Sequence, residues 1–137
     1  MTVKIEDIMV TEVKTLETDA SIQDVVEKMY KNEIGSVVIL KDGNPFGIVT
    51  ERDIVQKIVV KNKDPSTLKA KDIMSTPLET GNKQMTLLEA IKILVLNRIK
   101  KLPIIDNQGE LVGIISLFDL VRWTPLVQQM DLDSKED

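Results

Sequence analysis

Gly47-Ile48-Val49-Thr50-Glu51-Arg52-Asp53 returns 66 residues later as Gly113-Ile114-Ile115-Ser116-Leu117-Phe118-Asp119. Both stretches run from a glycine through two β-branched residues to a hydroxyl, then close on an aspartate three residues further. β-Branched pairs favour a strand, and a hydroxyl followed three residues later by an acid favours a helix start. The pattern predicts a strand ending, and a helix beginning, near Thr50 and again near Ser116. Upstream, Lys4-Ile5-Glu6-Asp7-Ile8-Met9 is answered by Lys69-Ala70-Lys71-Asp72-Ile73-Met74 at an offset of 65. Two phrases in the same order, each present twice, argue for tandem copies of a small unit rather than an open solenoid.

Between the phrases the copies follow one plan. Ser21-Ile22-Gln23-Asp24 opens a helix, with Ser21 as its cap, Asp24 near its positive end, and Ile22, Val25, Val26 and Met29 on its apolar face. Thr86-Leu87-Leu88-Glu89 opens the matching helix with a capping box, and Leu87, Ala90, Ile91, Leu94 and Val95 continue it. That helix is apolar elsewhere too, at Leu88, Ile93 and Leu96, which asks for cover from the sister copy or a partner chain. The apolar runs Val37 to Leu40 and Leu102 to Ile105 read as buried strands. Turns follow at Asp42-Gly43-Asn44-Pro45 and Asp106-Asn107-Gln108-Gly109, and Phe46 to Val49 and Leu111 to Ile115 return as hairpin partners. The closing helices present Ile54, Val55, Ile58 and Val59 in one copy, and Leu117, Leu120 and Val121 in the other, before Trp123 and a stop at Pro125. Extended pieces at Lys14 to Glu17 and Leu78 to Thr80 add an expected edge strand to each copy.

These readings divide the chain into a first copy (1–61), a polar linker (62–68), a second copy (69–125) and an Asp-rich tail (126–137). They predict an α+β fold in which each copy runs β-α-β-β-α. A unit of about 60 residues is marginal as an isolated core, so the strand faces are expected to pack sheet to sheet. The result is a pseudo-two-fold pair with clefts where the copies meet.

Composition removes whole classes of chemistry. The 137 residues contain no cysteine and no histidine, which excludes disulfides, thiolate nucleophiles, Cys- or His-based metal sites and an imidazole proton shuttle. A net charge of −4 and 3% aromatic residues disfavour broad attraction to nucleic acid or anionic lipid, and stacking on bases. No apolar run is long enough to span a bilayer and no signal-peptide pattern opens the chain, so a cytoplasmic location is expected. There is no Walker-type Gly-Lys-Ser/Thr loop, and Asp53 and Asp119 belong to different clefts. Neither a catalytic residue nor a metal site is assigned, and the chain is not expected to be an enzyme.

The repeated Gly-x-x-hydroxyl-x-x-Asp phrase has two readings that can coexist. Thr50 and Ser116 can simply cap helices, with Asp53 and Asp119 at the favourable third position and Gly47 and Gly113 easing packing within the hairpins. The same geometry can serve a ligand. A helix start presents amides to an anion, the hydroxyl can meet a phosphate or sugar oxygen, and a carboxylate one turn on can accept both hydroxyls of a ribose. Recurrence favours the second reading, because the copies differ at most positions yet keep these three residues in register.

With both phrases in order twice over, residues 4 to about 124 resemble a tandem pair of cystathionine-beta-synthase (CBS) domains, also called a Bateman module. The resemblance implies a regulatory module that senses AMP, ADP, ATP or S-adenosylmethionine, often as a disc-like dimer, with no cofactor required. Carried over by motif, one cleft would use Ile48, Thr50, Arg52 and Asp53 against Thr76, Pro77, Leu78, Ile99, Lys100 and Lys101. The other would use Ile114, Ser116 and Asp119 against Thr11, Glu12, Val13, Ile34, Gly35 and Ser36. Arg52 and the two lysines make the first cleft the expected phosphate site, whereas Leu117-Phe118 and Gly35-Ser36 leave the second less charged. The functional expectation is an adenine-nucleotide sensor that forms a homodimer and signals to a protein partner. The alternatives are an interaction or dimerisation module without a physiological nucleotide, for which the apolar second helix and Trp123 with Leu126-Val127 speak, and a sensor of an S-adenosylmethionine-type ligand.

Overall fold

A computed structural model describes residues 3–123. Pro125, Leu126-Val127 and the acidic tail lie outside the described residues. In the first copy, β1 (Thr15–Glu17) runs parallel to β2 (Ser36–Lys41), which pairs antiparallel with β3 (Asn44–Thr50). In the second, β4 (Gly81–Asn82) runs parallel to β5 (Lys101–Ile105), which pairs antiparallel with β6 (Leu111–Ser116). Helices α1 (Ile22–Asn32) and α4 (Leu87–Asn97) join edge to central strand, while α2 (Glu51–Ile54) and α5 (Leu117–Arg122) leave the ends of β3 and β6. The entry phrases form a 3-10 turn at Ile5–Asp7 and the short helix α3 (Ala70–Ile73). The fold is α+β, with a three-stranded sheet and its helices in each copy. No helix among the described residues is long and apolar enough to cross a membrane.

Local chemistry explains the element boundaries. Ser21 accepts the Asp24 amide at 3.0 Å and starts α1, and Thr86 with Glu89 forms the expected capping box on α4. The closing helix of the first copy departs from the expected apolar face. After Ile54 the backbone widens into a π-helical turn over Val55–Val59. The wider turn breaks the 3.6-residue register, so Ile58 is buried while Val55 and Val59 face solvent. Val95 of α4 and Val121 of α5 are likewise exposed, leaving Ala90 with Leu94, and Leu120, as the fully buried residues of those helices. The second edge strand falls at Gly81–Asn82 rather than Leu78 to Thr80. The chain is held along β3 through Ser75 and reaches β5 only at Gly81, where a Cβ would come within 2.9 Å of Leu102 and 3.1 Å of Ile104.

Each copy has its own core, and each core is completed by the other copy's entry phrase. Ala70 and Ile73 join Ile22, Val25, Met29, Val37, Ile39, Val49 and Ile58 in one cluster. Ile5 joins Ala90, Leu94, Leu102, Ile104, Ile115 and Leu120 in the second. The backbone repeats the exchange in both directions. Ala70 and Lys71 amides donate to the carbonyls of Ala20 and Thr18 at 2.8 and 3.0 Å, and Ile5 and Glu6 amides donate to those of Met85 and Lys83 at 2.9 and 3.1 Å. These are corresponding positions, 65 residues apart. The two-fold relation is therefore carried by hydrogen bonds as well as by packing. On the strand faces turned away from the helices, Val38 and Pro103 are also buried, so β2 and β5 are covered on both sides.

Candidate functional site

The repeated phrase ends each hairpin at a capping box. In the first copy Thr50 is extended (φ −115°, ψ 167°), its Oγ1 accepts the Asp53 amide at 3.2 Å, and Asp53 Oδ2 accepts the Thr50 amide at 2.9 Å. In the second, Ser116 Oγ accepts the Asp119 amide at 3.0 Å and Asp119 Oδ2 accepts the Ser116 amide at 3.1 Å. The capping reading is thus realised in both copies, and it leaves fewer free amides than the sequence suggests. The first helical amides are also taken, Glu51 by the Gly35 carbonyl at 3.1 Å and Leu117 by the Lys100 carbonyl at 2.8 Å.

The glycines serve a crossing between copies rather than packing within one hairpin. Ile48 and Ser75 exchange both backbone hydrogen bonds, at 3.1 and 2.8 Å, and Val10 and Ile114 do the same at 3.0 and 2.9 Å. Each crossing passes a motif glycine. A Cβ on Gly47 would lie 2.9 Å from Met74 Sδ and Thr76 Cγ2, and one on Gly113 would strike the Met9 side chain and approach the Val10 carbonyl at 3.1 Å. Glycine lets the neighbouring backbone and side chains approach this closely without displacing them.

These crossings bring part of each expected site together. Ile48 meets the segment leading into Thr76, and Ile114 meets the segment leading into Thr11, Glu12 and Val13. Pro77 and Leu78 lie beyond the crossing, in a groove of about 700 Å³ shared with Asn44, Phe46, Ile105 and Gln108. That groove lies by the turn end of β3, away from Thr50. Ile34 and Gly35 line a different groove of about 820 Å³ between α1 and α2 of their own copy.

Strand register places the expected phosphate cations beside the other motif. Lys101 pairs with Ser116, and Ser36 pairs with Thr50. Paired residues on antiparallel strands share a face, so Lys101 stands with Ser116, and Ser36 with Thr50, each within one copy. No hydrogen bond or ion pair among the described residues joins Lys100 or Lys101 to Asp53. Ile99, half-buried, packs against the second copy's core. Arg52 is exposed on α2. The pairing thus sets Lys101 beside Ser116, and the Leu117 amide donates to the Lys100 carbonyl, so both lysines neighbour the second motif within their own copy.

Two residues that sequence reasoning missed hold Asp53. Asp53 is 5% exposed, and its Oδ1 accepts from Lys57 Nζ and from the Ser75 hydroxyl, each at 2.9 Å. Lys57 Nζ also donates to the Ile73 carbonyl at 2.9 Å. The i, i+4 spacing from Asp53 was a usable signal for Lys57. Ser75, 22 residues away, had none. Asp119 is half-buried, and among the described residues only Ser116 hydrogen-bonds its carboxylate. Among the described residues no cluster of three or more acidic, His or Cys groups could hold a metal ion.

Comparison with known proteins places this geometry in a family. The chain is 40% identical over 115 residues to an uncharacterized protein of Methanopyrus kandleri, covering 82% of this chain and 59% of that protein. It is 33% identical to the CBS domain-containing protein YhcV of Bacillus subtilis, over 95% of this chain and 88% of that one. A conserved CBS domain protein of unknown function from Thermoplasma acidophilum superposes with a TM-score of 0.85 at 26% identity, covering 90% of this chain and 70% of that one. The CBS domain model matches twice, over residues 5–60 and 70–125. The chain belongs to the CBS-domain family, as a tandem pair.

Proposed function

We propose that the protein is a regulatory module that binds an adenosine-containing ligand, of the AMP, ADP or ATP class, between its two copies and signals to a partner protein without chemistry. The observation that carries this reading is the recurrence of one hydroxyl and one carboxylate at a strand end, each beside a crossing of the other copy's backbone. A ligand held there touches both copies, so it favours one relative arrangement of them and changes the surface a partner meets. The carboxylate would accept ribose hydroxyls, and half-buried aliphatic residues such as Ile114 would flank a base.

A second reading has its own observation. Leu88, Val95 and Leu96 of α4 and Phe118 of α5 are 60–80% exposed, and Trp123 is 44% exposed. That apolar surface suits a second copy of this chain, as in a homodimer, and would serve an interaction module without a physiological nucleotide.

A thermal-shift panel with AMP, ADP, ATP, S-adenosylmethionine and NAD separates the two. A native-state ligand at a hundred times its dissociation constant adds ~2.7 kcal/mol, enough to raise the midpoint by several degrees. At least one adenosine compound is expected to produce that shift. If none does, the interaction module is the better reading.

A further inference from the structure

The two motif aspartates differ through residues that lie outside the repeated phrases. Lys57 corresponds to Trp123 in the second copy, and Ser75 corresponds to Val10 in the first, at the same offsets of 66 and 65. At Asp53 both of these positions donate. Lys57 and Ser75 each reach Oδ1 at 2.9 Å, while Thr50 occupies Oδ2 through its amide at 2.9 Å and its hydroxyl at 3.2 Å. Four donors converge on one carboxylate that is almost fully buried. By the same offsets the second copy carries Trp123 and Val10, an uncharged indole and a side chain with no donor, and among the described residues only Ser116 hydrogen-bonds the Asp119 carboxylate.

The same contacts join the copies. Lys57 projects from the turn after α2 in the first copy, and both Ser75 and the Ile73 carbonyl belong to the entry segment of the second. The ammonium therefore bridges an acid on one side of the crossing and a carbonyl on the other. A ribose approaching Asp53 would have to displace a charge-assisted bond already formed within the protein. The second cleft has its cations placed differently. Lys101 stands beside Ser116 on β5, Lys100 precedes it, and neither forms an ion pair with a described residue.

We infer that Lys57 is a built-in occupant of the first cleft: with Ser75 it closes Asp53 and latches α2 to the entry segment of the second copy, leaving the Asp119 cleft to take the ligand. This rests on the adenosine reading and specifies it, since it names one site per chain and reverses the expectation that the Thr50 cleft takes the phosphates. Such a latch is also a coupling device, because both halves of the crossing move together while it holds.

The test counts bound nucleotide on the full chain, with ATP as the probe, by isothermal titration. Wild type is expected to bind one ATP per chain, and Asp119→Asn to lose at least tenfold in affinity. Lys57→Gln is expected to admit a second ATP. Two ATP per wild-type chain, unchanged affinity in Asp119→Asn, or a Lys57→Gln variant that still binds only one would each overturn the inference. The first two measurements decide it even where Lys57→Gln does not fold. A wild type that binds no ATP, with no shift from any adenosine compound, would count instead against the adenosine reading. The latch is then read by hydrogen exchange, where Lys57→Gln should speed the Ile48 and Ser75 amides at least tenfold relative to those of Val10 and Ile114. Equal exchange at the two crossings overturns it.

Discussion

A single methyl group tests what the motif glycines do. Gly47→Ala would place its Cβ 2.9 Å from Met74 Sδ and Thr76 Cγ2 and 3.1 Å from the Ser75 carbonyl. Because a backbone atom is among these neighbours, repacking cannot relieve all of the overlap, and a loss of about 1–3 kcal/mol is expected in urea unfolding. Thr76→Ser in the same chain removes one clashing methyl and should recover part of that loss, a non-additivity that a double-mutant cycle measures. Additive effects would place the cost of Gly47→Ala elsewhere. At this scale the sequence was informative about the recurring residues and their local partners, and silent about the distant one, Ser75. Thr50, Asp53, Ser116 and Asp119 stand out because they recur, and their caps are local, three residues apart. Ser75 and Lys57 do not recur, and a contact spanning 22 residues leaves no trace in local spacing.

The helices show how far local chemistry reaches. Thr86 accepts the Glu89 amide at 3.2 Å, and its own amide and hydroxyl donate back to Glu89 Oε1 at 3.0 and 3.1 Å. Thr86→Ala should cost about 0.5–2 kcal/mol, read as a lower denaturation midpoint at neutral pH. The Thr86 amide, and then its hydroxyl, hold the Glu89 carboxyl below its ordinary value of 4.5. The Ser66 amide and hydroxyl do the same for Asp64, and a hydrogen bond and the charge of Lys71 do so for Asp19, both below 3.8. A folded-state value below the unfolded one means that stability is fully present above the unfolded value and is lost as pH falls through the folded value. Acid titration of stability should therefore decline below pH 4.5, and Glu89→Gln should flatten that decline. An unchanged slope would mean that the cap is not formed in solution. Caps of this kind were legible because they are written in four consecutive residues. The π turn after Ile54 was not, since it alters register without any proline or glycine to announce it, and it turned Val55 and Val59 outward.

At the level of the whole molecule, the exchange of entry phrases sets the unit of folding. Ile5 is fully buried in the second copy's core and Ile73 almost fully in the first's. Ile5→Ala should cost about 2–5 kcal/mol and loosen chiefly the α4–β6 region, while Ile73→Ala should loosen chiefly α1–β3. Hydrogen exchange resolved along the chain checks the crossover, and a loss confined to the mutated copy would contradict it. A fragment of residues 1–61 is expected to lack cooperative unfolding, because it carries Ile5 and lacks Ala70 and Ile73. The duplication and the order of elements were legible from the repeat. Which copy each entry phrase would fill was not, because Ile5-x-x-Ile8 and Ala70-x-x-Ile73 have the same apolar spacing and fit either core by pattern alone.

The exchanged segments also bear on how a single copy could exist. One copy alone cannot supply its own entry segment in the observed geometry, so it can complete its core only by trading that segment with a second chain. Fusing two copies head to tail turns that concentration-dependent trade into a first-order closure, governed by the effective molarity that the 62–68 connection imposes. A connection too short to close on itself would send the same contacts outward, into interlocked pairs of chains.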